Sequence, residues 1–143
     1  MSAWREQALI DAPVEEVWKL IGDPNRHPEW WPLVVQVDDL HRIEQDATYR
    51  QVTVNPRGDG TMETTFKIEH LEDMREITTQ CQDTGMWANW RFTEAQNETF
   101  AELEIGFESD RLELGVLRAP LAKRYLRRFA EESLEGLRKA VAK

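Results

Sequence analysis

At 143 residues, 41% hydrophobic and 31% charged, the chain has the size and composition of one globular domain, residues 1–143. Its formal charge of −9, from 27 acidic and 18 basic side chains, excludes a reader of the nucleic-acid backbone and disfavours an anionic membrane surface. The single cysteine, Cys81, excludes an intrachain disulfide. There is no apolar run near the ~20 residues of a membrane span and no signal-peptide core at the start, so a cytoplasmic protein without stable membrane insertion is expected.

Residues 4–10 read as a first strand. Asp11-Ala12-Pro13 stops it and starts a helix, with Asp11 or Ala12 at the cap and Pro13 at the first helical position. Glu15 and Glu16 suit the positive end of the helix dipole, and Val14, Val17, Trp18 and Ile21 form its inward stripe. Gly22-Asp23-Pro24 ends it. Two prolines then flank the Trp30-Trp31 pair, leaving room only for a short second helix.

From Leu33 the pattern changes to period two, with Val35 and Val37 alternating with polar neighbours. In the next strand, 47–55, Arg50 shares the parity of Val52 and Val54, which predicts that all three point inward. Residues 56–60 are a glycine-containing hairpin connection. Met62, Thr64, Phe66 and Ile68 then face one way; Ile77, Thr79 and Cys81 do so in the following strand, and Trp90 with Phe92 in the one after. Ala101, Leu103, Ile105 and Phe107 alternate with Glu102, Glu104, Gly106 and Glu108. Turns this short demand antiparallel pairing.

The chain closes on one long amphipathic helix, Ala119 to Lys143. Its stripe runs through Ala122, Leu126, Phe129, Ser133, Leu137 and Ala140, with charged residues on the remaining faces. Pro120 fits the first turn.

Ile10-Asp11-Ala12-Pro13, then Val17-Trp18, then the tryptophan-proline segment ending at Pro32, resembles the START-like superfamily. Within it the chain is similar to the polyketide cyclase/dehydrase and lipid-transport family. The resemblance implies an α+β helix-grip fold: a curved seven-stranded antiparallel sheet wrapped round the long C-terminal helix, with two short helices after the first strand. It also implies a cavity between sheet and helix that holds a lipid, sterol or polyketide-like molecule. Members range from carriers to cyclases and aromatases. The aromatase branch carries an arginine and a serine on the strand after the glycine turn; Thr61 to His70 here has neither.

Parity and the implied cavity together nominate the ligand-binding residues. Trp31, Arg50, Val52, Phe66, Ile68, Cys81, Trp90, Phe92, Leu103 and Ile105 would form the walls, and Leu117, Tyr125 and Phe129 the roof. An inward Arg50 would either hold a ligand carboxylate or ketone or snorkel out at a strand end. His27 reads as a surface residue of the proline-rich segment. His70 shares the parity of Phe66 and Ile68, at a cavity end or at a plain polar strand terminus. The three histidines lack metal-ligand spacing and Cys81 has no partner cysteine, so no metal and no cofactor is expected.

Three readings follow. The first is a carrier of an apolar small molecule, monomeric or homodimeric. The second is a cyclase, aromatase or dehydratase, which requires Arg50, Tyr49 or His70 to enter the cavity beside a polar partner. The third is an interaction module with a closed core, lacking the ~300 Å³ of a ligand site.

Overall fold

The structure is a computed structural model that describes residues 3–54, 60–108 and 119–142, with 119–122 given by backbone alone. Strand β1 (Ala3–Ile10) leads into helix α1 (Val14–Ile21), a 3-10 turn (Pro24–Arg26) and the one-turn helix α2 (His27–Trp30). Strands β2 (Val34–Asp38), β3 (Thr48–Val54), β4 (Thr61–Glu72), β5 (Glu76–Cys81), β6 (Met86–Ala95) and β7 (Glu98–Phe107) follow, and then helix α3 (Ala119–Val141).

All seven strands join one sheet in the order β1-β7-β6-β5-β4-β3-β2, and every neighbouring pair is antiparallel. The meander from β2 to β7 thus closes on the first strand. The register Ala8↔Ala101 and Trp4↔Ile105 lines up their inward residues. Curved and gripping one long helix, this is the helix-grip arrangement that the resemblance implies.

Helix α3 lies on β1 and β7 and touches α2. Its buried stripe is Leu126, Phe129, Ala130, Ser133, Leu134 and Leu137, with Ala140 half-buried. The solvent side carries the i,i+4 pairs Arg127–Glu131 and Arg128–Glu132. Opposite the stripe, Ala101, Leu103, Ile105 and Phe107 of β7 are all buried, as their clean alternation predicts. Gly136 permits the close approach to α2, because a Cβ there would collide with the Trp30 carbonyl and the Pro32 ring. Thr99 Oγ1 donates to the Ala12 carbonyl at 2.8 Å, pinning the start of α1 to β7.

Four local expectations are corrected. Pro13, extended at ψ 155°, is itself the cap of α1; neither Asp11 nor Ala12 takes that place. In β2 a bulge between Val34 and Gln36 turns Val34 inward and leaves Val35 48% exposed. In β3 the buried set is Tyr49, Gln51 and Thr53, so Arg50, Val52 and Val54 lie on the outer face. The Tyr49 ring takes the core position and the one-residue inversion follows along the whole strand. In β4 a bulge between Ile68 and His70 shifts the register, so His70 faces outward.

Candidate ligand-binding site

The inner face of β3–β6 that α3 does not cover meets Trp31, at the end of α2, and Phe129 of α3 across a cavity. A tier of aromatic rings fixes Trp31. It stacks on Trp30 (centroids 5.1 Å apart, 13° between planes) and meets Trp90 and Phe129 edge-on at 5.7 and 5.8 Å. Its indole N–H donates to Ser133 Oγ at 2.6 Å, and that hydroxyl donates to the Phe129 carbonyl at 2.6 Å. Ser133 thus occupies an apolar stripe position because it ties α2 to α3.

The opposite wall is built row by row across the sheet. Gln51 of β3 sits directly across from Thr64 of β4, Thr53 from Met62, and Tyr49 from Phe66, which in turn faces Cys81 of β5. Thr79 of β5 pairs with Ala88 of β6. Gln51, Thr53, Thr64 and Thr79 are all buried and all line the cavity. The Gln51 amide donates to Thr53 Oγ1 at 2.9 Å. Thr64 Oγ1 has no hydrogen-bond partner among the described residues. Val34, Met62, Phe66, Met86 and Phe129 supply the apolar remainder, with Thr84 and Trp87 at the β5–β6 turn.

The space between these walls is about 460 Å³ when the part open to solvent is counted. The cavity proper is only about 30 Å³, and this smaller figure decides what fits. It is room for roughly two waters, about tenfold short of the ~300 Å³ of a ligand site, so on volume alone this is the outcome that the closed-core reading expects. A larger guest has to displace side chains. Met62 and Met86, unbranched and on the rim of this space, are the ones that move at least cost.

Of the sequence-nominated residues, Trp31, Phe66, Cys81 and Phe129 come together on the cavity. Ile68, Trp90, Phe92, Leu103 and Ile105 are buried in the core beside it. Tyr125 is half-buried next to Phe129, and burial pushes its phenol pKa up. Leu117 lies outside the described residues. Val52 and Arg50 are on the other face, where Arg50 donates to Thr65 Oγ1 at 2.6 Å and pairs with Glu63 at 3.4 Å. The lining residues not nominated are Val34, Met62, Thr84, Met86, Trp87 and Ala88 and the polar Gln51, Thr53, Thr64 and Thr79. Gln51 and Thr53 were missed because an alternation of valines suggested the wrong face; Thr64 and Thr79 share the parity of the nominated Phe66 and Cys81 but are not apolar.

Titratable groups are sparse on the inside. Tyr49 is fully buried; its phenol pKa is pushed up by desolvation, and its hydroxyl lies beside Thr79 and Cys81 without a hydrogen bond of acceptable geometry. Cys81 Sγ accepts from the Thr84 backbone N–H at 3.4 Å. His27, expected at the surface, is 1% exposed, edge-on to Trp30 and Trp31, and donates from Nε2 to the Ile21 carbonyl at 2.9 Å. Desolvation lowers its pKa to about 4, against smaller opposing effects of that hydrogen bond and of Asp23. His70 faces away from the cavity, where it meets Glu72 and Glu76 at 3.8 and 3.6 Å. Their ligand-type atoms lie within 4.8 Å of one another, a grouping that histidine-pair spacing does not flag.

The profile of the family described as polyketide cyclase / dehydrase and lipid transport matches residues 1–142. The chain belongs to that family. Three solved structures have a similar fold. A START superfamily protein from Mycobacterium smegmatis superposes with a TM-score of 0.79 at 13% identity, covering 98% of this chain and 97% of that one. TTHA0849 from Thermus thermophilus gives 0.76 at 21% identity, over 99% and 97%. The di-domain ARO/CYC protein BexL from the BE-7585A biosynthetic pathway gives 0.79 at 18%, over 99% of this chain and 47% of that one. At these identities the likeness is one of fold. No curated protein matches the sequence. Among the described residues no helix is long and apolar enough to cross a membrane.

Proposed function

We propose that the chain binds a small, mostly apolar molecule between the inner face of β3–β6 and the Trp31–Phe129 wall. The observation that carries this reading is the character of the cavity wall. Side-chain amides and hydroxyls are mostly kept at the surface, whereas here four buried polar side chains, Gln51, Thr53, Thr64 and Thr79, gather on one side of a void. Membership of a family described by lipid transport as well as by cyclase and dehydrase chemistry supports the same reading. The small free volume means that binding is coupled to rearrangement of the methionine side chains.

Geometry supports binding over catalysis. The cyclase reading needs Arg50, Tyr49 or His70 in the cavity, and Arg50 and His70 are on the opposite face. Tyr49 alone faces inward, and its raised pKa keeps the phenol protonated, a donor rather than a base. The test is native mass spectrometry of freshly purified protein for a co-purified apolar molecule, followed by NMR titration with apolar compounds. Binding is expected to shift the resonances of Thr64, Thr79 and Met86 and to leave Val52 unmoved. Shifts confined to the outer face, or none with any apolar class, would refute it.

A further inference from the structure

We propose that the guest of this pocket is electrically neutral and presents an oxygen to the Thr64 hydroxyl. The inference rests on the pocket reading above and goes beyond it by fixing the guest's polar group. Thr64 is 7% exposed, lines the cavity, and has no hydrogen-bond partner for Oγ1 among the described residues. A buried hydroxyl calls for a partner, and a guest oxygen placed opposite Thr64, in place of water, meets a donor that no described side chain or backbone group uses.

The neighbours extend this polar spot. Gln51 sits directly across from Thr64 and donates its amide to Thr53 Oγ1. With its oxygen accepting that bond, Thr53 keeps its own O–H to donate. Strands β3 and β4 therefore offer two hydroxyls close together, facing the apolar Trp31, Met86 and Phe129. A guest with one oxygen at the edge of an apolar body matches both walls.

Charge argues the same way. Among the described residues lining the cavity none carries a charge. The cation of β3, Arg50, is committed on the far face to Thr65 and Glu63. A carboxylate placed beside Thr64 would be desolvated with only hydroxyls and an amide to meet it, which is a poor exchange for water. Alcohols, phenols and ketones fit where a free fatty acid does not.

The test uses toluene and p-cresol, which differ by one hydroxyl, and p-toluamide and p-toluate, which have one size and differ in charge, titrated by NMR at pH 7 into the full chain. Thr64→Val keeps the shape and removes the hydroxyl; Thr64→Ser keeps the hydroxyl. The expected result is that p-toluate binds at least about tenfold more weakly than p-toluamide to the unsubstituted chain. Thr64→Val weakens p-cresol roughly three- to tenfold and leaves toluene unchanged, while Thr64→Ser retains the p-cresol affinity. A melting curve shows whether the valine variant folds; if it does not, Thr64→Ala carries the same comparison. Equal effects of Thr64→Val on toluene and p-cresol would mean that the hydroxyl serves only a resident water, and would overturn the inference while the pocket reading stands. Binding of p-toluate as tight as that of p-toluamide would overturn it too. If none of the probes binds, the pocket reading itself falls and takes the inference with it.

Discussion

Acidification should loosen this protein through one side chain, His27. The imidazole is buried among Trp30, Trp31 and the end of α1, and desolvation holds its pKa near 4 against an ordinary 6.5. Between those two values the unfolded chain binds a proton that the folded chain refuses, so stability falls as pH falls. The full contribution is present above pH 6.5. Linkage over these two pKa values gives a loss of about 2 kcal/mol by pH 5 and about 3 kcal/mol by pH 4, levelling off below that. Carboxylate titration adds its own acid loss, so the comparison must be differential. His27→Gln removes the titrating ring while its amide can still donate to the Ile21 carbonyl. Urea melts of both proteins at pH 7, 5 and 4 should show the unsubstituted chain losing about 2 and then about 3 kcal/mol more than the variant. Parallel losses, within about 0.5 kcal/mol, would mean that His27 is not the acid-sensitive group and that the burial argument is wrong.

Further predictions concern the junction of α2 with α3 and the corrected face of β3. Ser133→Ala strands the buried Trp31 indole N–H and should cost about 1–3 kcal/mol in a chemical melt, whereas adding it to Trp31→Phe should cost much less. Gly136→Ala, ordinarily favourable in a helix by about 1 kcal/mol, should instead destabilise by about 1–3 kcal/mol, because the added methyl meets the Trp30 carbonyl and Pro32. Arg50→Ala should change stability by less than about 1 kcal/mol, since its Glu63 partner is exposed, and should leave probe binding in the NMR titration unaltered. A loss of binding in that variant would return Arg50 to the cavity and refute the assigned parity of β3.

The parts of this fold that were legible in the sequence are those where burial and apolarity coincide. From Ala101 to Phe107 of β7 every second residue is apolar and buried, and on α3 the stripe through Leu126, Phe129 and Leu137 is the buried stripe. Strand β3 breaks that coincidence. Its valines are half-buried on the outer face, while a glutamine and a threonine point in. A reading that sends apolar residues to the core must invert such a strand. The bulges in β2 and β4 defeat parity in a second way, since one extra residue reverses every side chain beyond it and leaves no compositional mark. His27 fails for a third reason: flanking prolines suggest a surface loop, and only the folded aromatic tier supplies the room in which a neutral imidazole packs.

These failures are not scattered at random. The inverted strand is the one that brings Gln51 and Thr53 to the void, and the β4 bulge lies beyond Thr64, Phe66 and Ile68 on the strand facing it. A strand whose only task was to fill a core would bury its valines and expose its glutamine, because burying an amide and hydroxyls returns less than burying methyl groups. In β3 burial of the Tyr49 ring sets the parity, and what separates this wall from ordinary packing is that the two inward positions after it, Gln51 and Thr53, are polar. On β3–β5 the parity reading nominated Arg50, Val52, Phe66, Ile68 and Cys81, and it passed over the polar side chains Gln51, Thr53, Thr64 and Thr79 that line the void beside Phe66 and Cys81.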